Sequence, residues 1–187
     1  MGVKMKRISL IITIMILGAC VSYEHYTDPV AAQNGIKCKY DSFSNNVTCL
    51  MPEIGTCGDG SSATKVSCAF PSSHMQFKTV FNTDKTVAVF GLNGYVRSRA
   101  WTNPYRITDA EGNTIDFTSV DSDVQSCTKY GCVLYEYISV HLSREYISSH
   151  VNSGISMKIY GKRGDTLMIV PAAYVTGFDN FLKGEGL

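Results

Sequence analysis

Val133-Leu134-Tyr135-Glu136-Tyr137-Ile138-Ser139-Val140-His141-Leu142 is the longest run of strand-forming residues in the chain. β-Branched and aromatic side chains pack well on a pleated, half-buried surface, so this run predicts a strand. Working outward, strand signals recur at short intervals from Lys37 onward. Residues 86–92 and 95–101 flank Asn93-Gly94, the dipeptide that most strongly favours a two-residue hairpin turn. Asp109-Ala110-Glu111-Gly112-Asn113 predicts another turn, leading into Thr114-Ile115-Asp116-Phe117. Ile155, Met157 and Ile159 alternate with more polar neighbours before Lys162-Arg163-Gly164-Asp165 turns the chain into Thr166-Leu167-Met168-Ile169-Val170. Ser143 can N-cap a helix over 144–152, with Glu145 in its first turn and Gly154 past its end. Tyr174, Phe178 and Phe181 predict a last amphipathic turn or two. The fold expected is mainly β: an antiparallel β-sandwich, or alternatively a small β-barrel, with one or two short helices near the C-terminus.

Composition sets the outer limits. At 187 residues the chain has room for one domain with a real core, and 44% apolar against 18% charged residues excludes general disorder. The formal charge is +1, but Lys4, Lys6 and Arg7 precede an apolar run. Without them the balance is about −2, which gives no electrostatic reason to expect nucleic acid as a partner.

That apolar run, Ile8-Ser9-Leu10-Ile11-Ile12-Thr13-Ile14-Met15-Ile16-Leu17, follows the basic head and ends in Gly18-Ala19. Basic head, short apolar centre and small-residue exit are the pattern of a secretory signal peptide. The run falls short of the roughly 20 residues a spanning helix needs. Leu17-Gly18-Ala19-Cys20 resembles the lipobox of bacterial lipoproteins. The resemblance covers only the first twenty residues. It implies a diacylglycerol on the Cys20 thiol, cleavage after Ala19 and a stable membrane anchor. Val21, where those lipoproteins carry Asp for inner-membrane retention, implies passage to the outer membrane, facing the periplasm. The organisation expected is a signal peptide over 1–19, a lipidated N-terminus and flexible tether over 20–35, and a single disulfide-containing β-rich domain over 36–187. Such a tether reaches at most roughly 50 Å.

Seven cysteines less Cys20 leave Cys38, Cys49, Cys57, Cys68, Cys127 and Cys132. An even set in an exported chain reads as a disulfide framework, for which the count alone permits 15 pairings. Spacing favours Cys38–Cys49 and Cys57–Cys68, both C-x10-C, with Cys127–Cys132 as C-x4-C. The first two pairs also lie in a short repeat of period 19. A four-residue turn at 42–45 would set Cys38 opposite Cys49, and a two-residue turn at Lys129-Tyr130 would set Cys127 opposite Cys132. The alternative joins the hairpins, for example through Cys49 and Cys57. The C-x4-C of Cys127 and Cys132 falls within zinc-ligand spacing but has no second such pair beside it, and C-x-x-C does not occur.

Chemistry is sparse. His25, His74, His141 and His150 stand in no recognisable motif, and neither G-x-S-x-G nor H-E-x-x-H occurs. Asp109, Glu111, Asn113 and Asp116, or Asp121 and Asp123, could crowd oxygens around calcium, but turn chemistry accounts for them. Arg163-Gly164-Asp165 spells an adhesion tripeptide and equally a tight turn. Asn46-Val47-Thr48 spells a glycosylation sequon, irrelevant in a bacterium. No cofactor or metal is expected. Period-2 alternation would bring Tyr95, Arg97, Arg99 and Trp101 to one strand face, a mix of residues enriched in binding hot spots. The function expected is non-catalytic binding or assembly by an envelope lipoprotein, with the membrane and an envelope protein as partners. The alternatives are a lipoprotein inhibitor of an enzyme such as lysozyme, and a hydrolase whose site the sequence does not reveal. Mass spectrometry of the native N-terminus is expected to find acylated Cys20. An unmodified peptide starting at or beyond Val21 would refute it.

Overall fold

The computed structural model of the chain describes residues 27–56 and 73–187. Cys20, the export signal, His25, Cys57, Cys68 and the second copy of the 19-residue repeat lie outside these residues. Two antiparallel sheets make up the described chain. The larger is ordered β1 (Lys37–Asp41), β2 (Asn46–Leu50), β4 (Ser73–Asn82), β5 (Ala88–Ser98), β9 (Gly131–Leu142) and β8 (Phe117–Thr128), with β3 (Ile54–Thr56) also paired to β4. The smaller is ordered β11 (Thr166–Val170), β10 (Ile155–Gly161), β6 (Pro104–Asp109) and β7 (Thr114–Ile115). The expected sandwich is present and neither sheet closes into a barrel.

Alternation explains how the sheets meet. Strand β4 buries every second residue, including Met75, Phe77 and Phe81, and β9 does the same with Leu134, Ile138, Val140 and Leu142. The smaller sheet answers with Ile107, Ile155, Met157, Ile159, Met168 and Val170, and both sets join one core. Period-2 placement puts these side chains on one face of each sheet and leaves the other face to solvent.

The helices cover what the smaller sheet does not. Helix α3 (Ala172–Glu185) buries Tyr174, Val175, Phe178 and Leu182, with the Phe178 ring stacked on Phe77 at 4.5 Å. Tyr174 donates its hydroxyl to the Pro52 carbonyl at 2.5 Å. Helix α2 (Arg144–Ser149) begins as expected: the Ser143 hydroxyl accepts from the Tyr146 amide at 3.0 Å. It ends three residues earlier than the 144–152 reading.

Two expectations are corrected here. Asn93-Gly94 is not a turn, for β5 runs straight through it, paired to β4 and β9 on both sides. A Cβ at Gly94 would stand 2.4 Å from the His74 carbonyl oxygen and 3.2 Å from Met168 Cε of the opposite sheet. Close approach, rather than turn chemistry, calls for this glycine. The turn falls at 83–87 instead. There Lys85 takes φ +60°, the Asp84 carboxylate accepts from the Thr86 amide, and the Asn82 side chain accepts from the Val87 amide. The tether expected over 20–35 is also corrected from Asp28 onward. Asp28 caps α1 (Pro29–Asn34) by accepting from the Val30 amide at 2.9 Å, and Ala32 is wholly buried. Helix α1 docks on α3 at Gly177, where an added Cβ would lie 2.8 Å from that of Ala32. The folded domain therefore begins before residue 36.

One buried carboxylate ties the C-terminal elements together. Asp179, on α3 with 2% of its side chain exposed, accepts from Arg144 of α2, from Ser148 and from Lys183. Burial by itself raises the Asp179 carboxyl, but the hydrogen bonds from Lys183, Arg144 and Ser148 outweigh it and hold it below the usual value. A carboxyl lowered on folding adds stability that is fully present above its unfolded pKa, near 3.9, and is lost as pH falls through the folded value. Asp179→Asn leaves Arg144 without its counter-charge and is expected to cost about 3 kcal/mol at neutral pH. In urea melts run against pH, the gap between wild type and variant is expected to close below about pH 4. A constant gap down to pH 2 would refute the assignment.

Candidate functional site

The outer face of the larger sheet carries the best-formed group of functional side chains. Register sets His74 of β4 opposite Tyr95 of β5, Tyr95 opposite Tyr137 of β9, and Tyr137 opposite Asp121 of β8. Two residues further along the strands, Gln76 stands opposite Asn93, Asn93 opposite Ser139, and Ser139 opposite Thr118. One row is thus largely aromatic and the next is neutral and polar throughout. A cavity of about 260 Å³ lies between them, lined by Glu53, His74, Gln76, Asn93, Tyr95 and Tyr137. Met75 and Ile138 turn their side chains into the core, so with Gly94 they offer backbone as its floor.

The aromatic row is held by stacking and by one acid. The His74 and Tyr95 rings are stacked at 4.9 Å, and Tyr135 and Tyr137 lie 4.6 and 5.6 Å from Tyr95. Glu53 accepts from His74 Nδ1 at 2.7 Å. That hydrogen bond holds the Glu53 carboxyl below its usual range, against the opposing effect of burial. Burial first, and the Glu53 charge second, push the Tyr95 phenol up to about 12. Tyr137 is raised in the same direction, by burial and then by Asp123. In the polar row, Ser139 donates to Asn93 Oδ1 at 2.8 Å, which leaves the Asn93 amino group to point elsewhere.

The face read from the sequence is half present. Tyr95 and Arg97 lie on it, but β5 ends at Ser98, so the alternation stops before Arg99 and Trp101. This corrects the four-residue face. The cause is Glu136, which points inward from β9 and is 6% exposed. Its carboxylate accepts from the Thr102 and Asn103 amides at 2.7 Å each and from the Thr102 hydroxyl. That clamp draws the chain off the sheet, leaving Arg99 exposed and Trp101 half-buried in the loop.

Other singled-out residues are placed as follows. Cys38 pairs with Cys49 and Cys127 with Cys132, each in direct register with a Cα separation of 4.0 Å, across turns at 42–45 and at Lys129-Tyr130. Such bonds form and persist in an oxidising, extracytoplasmic compartment. Among the described residues no helix is long and apolar enough to cross a membrane. His141 shares a hydrogen bond with Thr118, and His150 one with the Tyr146 carbonyl. Asp109 accepts from the backbone and side chain of Asn113, closing its turn, and no group of three metal-ligating side chains converges among the described residues. Asp121 and Asp123 lie on the other sheet, in register with Tyr137 and Tyr135. Asp165 pairs with Lys158 at 3.0 Å, and Gly164 takes φ +137°, so Arg163-Gly164-Asp165 is a turn.

The sequence reading missed Glu53, His74, Gln76, Asn93, Tyr135, Tyr137 and Ser139 as one group. Alternation within 133–142 carried part of the signal, since Tyr135, Tyr137 and Ser139 share a face. Which strands flank β9 was not legible. No protein-family model, curated protein or solved structure matches the chain. In a spectrophotometric titration, the tyrosine lost in Tyr95→Phe is expected to ionise near pH 12. Glu53→Gln removes a negative charge beside that phenol and should lower its pKa while burial keeps it above the ordinary value near 10. An unchanged Tyr95 titration in Glu53→Gln would refute the coupling.

Proposed function

We propose that the chain is a lipoprotein of the bacterial envelope, anchored through acylated Cys20 to the outer membrane on its periplasmic side. Its role is non-catalytic binding, and its binding surface is the outer face of the larger sheet. The observation that carries this reading of the surface is the ring row His74, Tyr95 and Tyr137, set beside Tyr135 and left half-buried on the outer face. Aromatic side chains supply large contact area for little conformational entropy, which is why binding surfaces favour them.

A second reading, inhibition of an extracytoplasmic enzyme, is favoured by the β8–β9 hairpin. Pairing of β9 to β5 ends at Leu134, so residues 125–133 project beyond the sheet. The disulfide Cys127–Cys132 staples this projection, and Tyr130 at its tip is 81% exposed. A rigid aromatic tip suits insertion into a cleft, since its conformation is fixed before binding.

Capture from detergent-solubilised envelopes by the full, acylated chain separates the two. Tyr137→Ala is expected to reduce retention of the bound component at least about tenfold, or 1.4 kcal/mol. Tyr160→Ala on the smaller sheet and Tyr130→Ala at the tip should leave it intact. Loss with Tyr130→Ala alone would transfer the function to the hairpin, and retention in all three variants would overturn both readings.

A further inference from the structure

Resting on the reading of this face as a binding surface, we propose that the groove between its two rows takes a neutral sugar chain. The polar row Gln76, Asn93, Ser139 and Thr118 contains amides and hydroxyls and no formal charge. Such groups both donate and accept, and so match vicinal hydroxyls, which do the same. The Gln76 amide has no hydrogen-bond partner among the described residues, and the Asn93 amino group is left open by the bond from Ser139. The opposite wall is aromatic and meets the apolar C–H groups of a pyranose.

Charge inside the groove is small. Glu53, Asp121 and Asp123 flank the aromatic row, while Arg97 opposite Tyr135 and Lys78 beyond the polar row bring the opposite sign. Glu53 itself is engaged by His74. The cavity of about 260 Å³ lies just below the usual range of ligand sites, so it accommodates part of a chain and the rest must lie along the rows. The polar row crosses four strands, β4, β5, β9 and β8, so at about 4.8 Å spacing the groove is on the order of 14 Å long.

The test uses the full chain in a sugar-free detergent, titrated separately with cellotetraose, chitotetraose and maltotetraose. The readout is the side-chain amide resonances of Gln76 and Asn93 in two-dimensional NMR spectra. At least one of the three is expected to saturate with a Kd of about 1 mM or tighter. Gln76→Ala and Asn93→Ala should each weaken it about tenfold, read on the remaining amide, and Lys158→Ala on the other sheet should not. The proposal is overturned if none saturates by about 10 mM, or if saturation survives both groove variants. Should sugars fail while Tyr137→Ala still abolishes capture from envelopes, the sugar assignment falls and the binding face stands. Should both fail, the reading of the face falls with it.

Discussion

A Cβ at residue 94 would stand 2.4 Å from the His74 carbonyl oxygen, and much of this molecule depends on its absence. Because Gly94 lets β4 and β5 lie close, β5 continues as one strand of eleven residues. Because it also makes room for Met168, the two sheets meet across the same position. The core and the outer face are therefore set by one close approach. If β5 broke at this point, Tyr95 would lose its places opposite His74 and Tyr137, and the aromatic row would not assemble. A one-residue shift in register would carry it to the opposite face altogether.

A second regularity concerns irregular backbone. Among the described residues three carboxylates are buried, Asp109, Glu136 and Asp179; the first two accept hydrogen bonds from irregular backbone, and the third from side chains of two helices. Asp109 closes the turn to Asn113, Glu136 holds the loop at Thr102 and Asn103, and Asp179 joins α2 to α3. An unsatisfied buried acid would be costly, and each of these is satisfied by several donors. The acids also explain why strand patterns end where they do. Glu136 sits between Leu134 and Ile138 on an otherwise apolar inward face, and its bonds take the chain after Ser98 away from the sheet.

These features mark the boundary of what residue order discloses. The sandwich, the β9 strand, the Ser143 cap, the turns at 42–45 and Lys129-Tyr130, and two of the disulfides all rest on local chemistry, and all were legible. Asn93-Gly94 was misread because the same dipeptide serves a turn or a tight strand crossing, and only His74 and Met168, distant in sequence, decide between them. Helix α1 was read as tether because its six residues show no apolar period, and it is held by the small pair Ala32 and Gly177 instead. Of the candidate face, Tyr95 and Arg97 were found by alternation within one strand. Glu53, His74, Asn93 and Tyr137 were missed because the face is assembled across strands, and strand order is a tertiary property.

The edges and the N-terminus bear on how such a face would meet a partner. Strand β8 is a sheet edge exposed over nearly its whole length, the kind of surface that invites pairing with another chain. Two register shifts, at Ser119/Asp121 and Val124/Ser126, and the charges of Asp121 and Asp123 guard it. Contact by strand addition is thereby disfavoured, and side chains on the face are left to make it. On the proposed acylation of Cys20, the docking of α1 also shortens the leash. Only residues 21–28 separate the anchor from Pro29, which spans at most about 30 Å, rather than the roughly 50 Å a tether reaching residue 35 would allow. Were Cys20 acylated as proposed, a domain held that closely would sample a thin layer above the membrane and would meet components of that layer first.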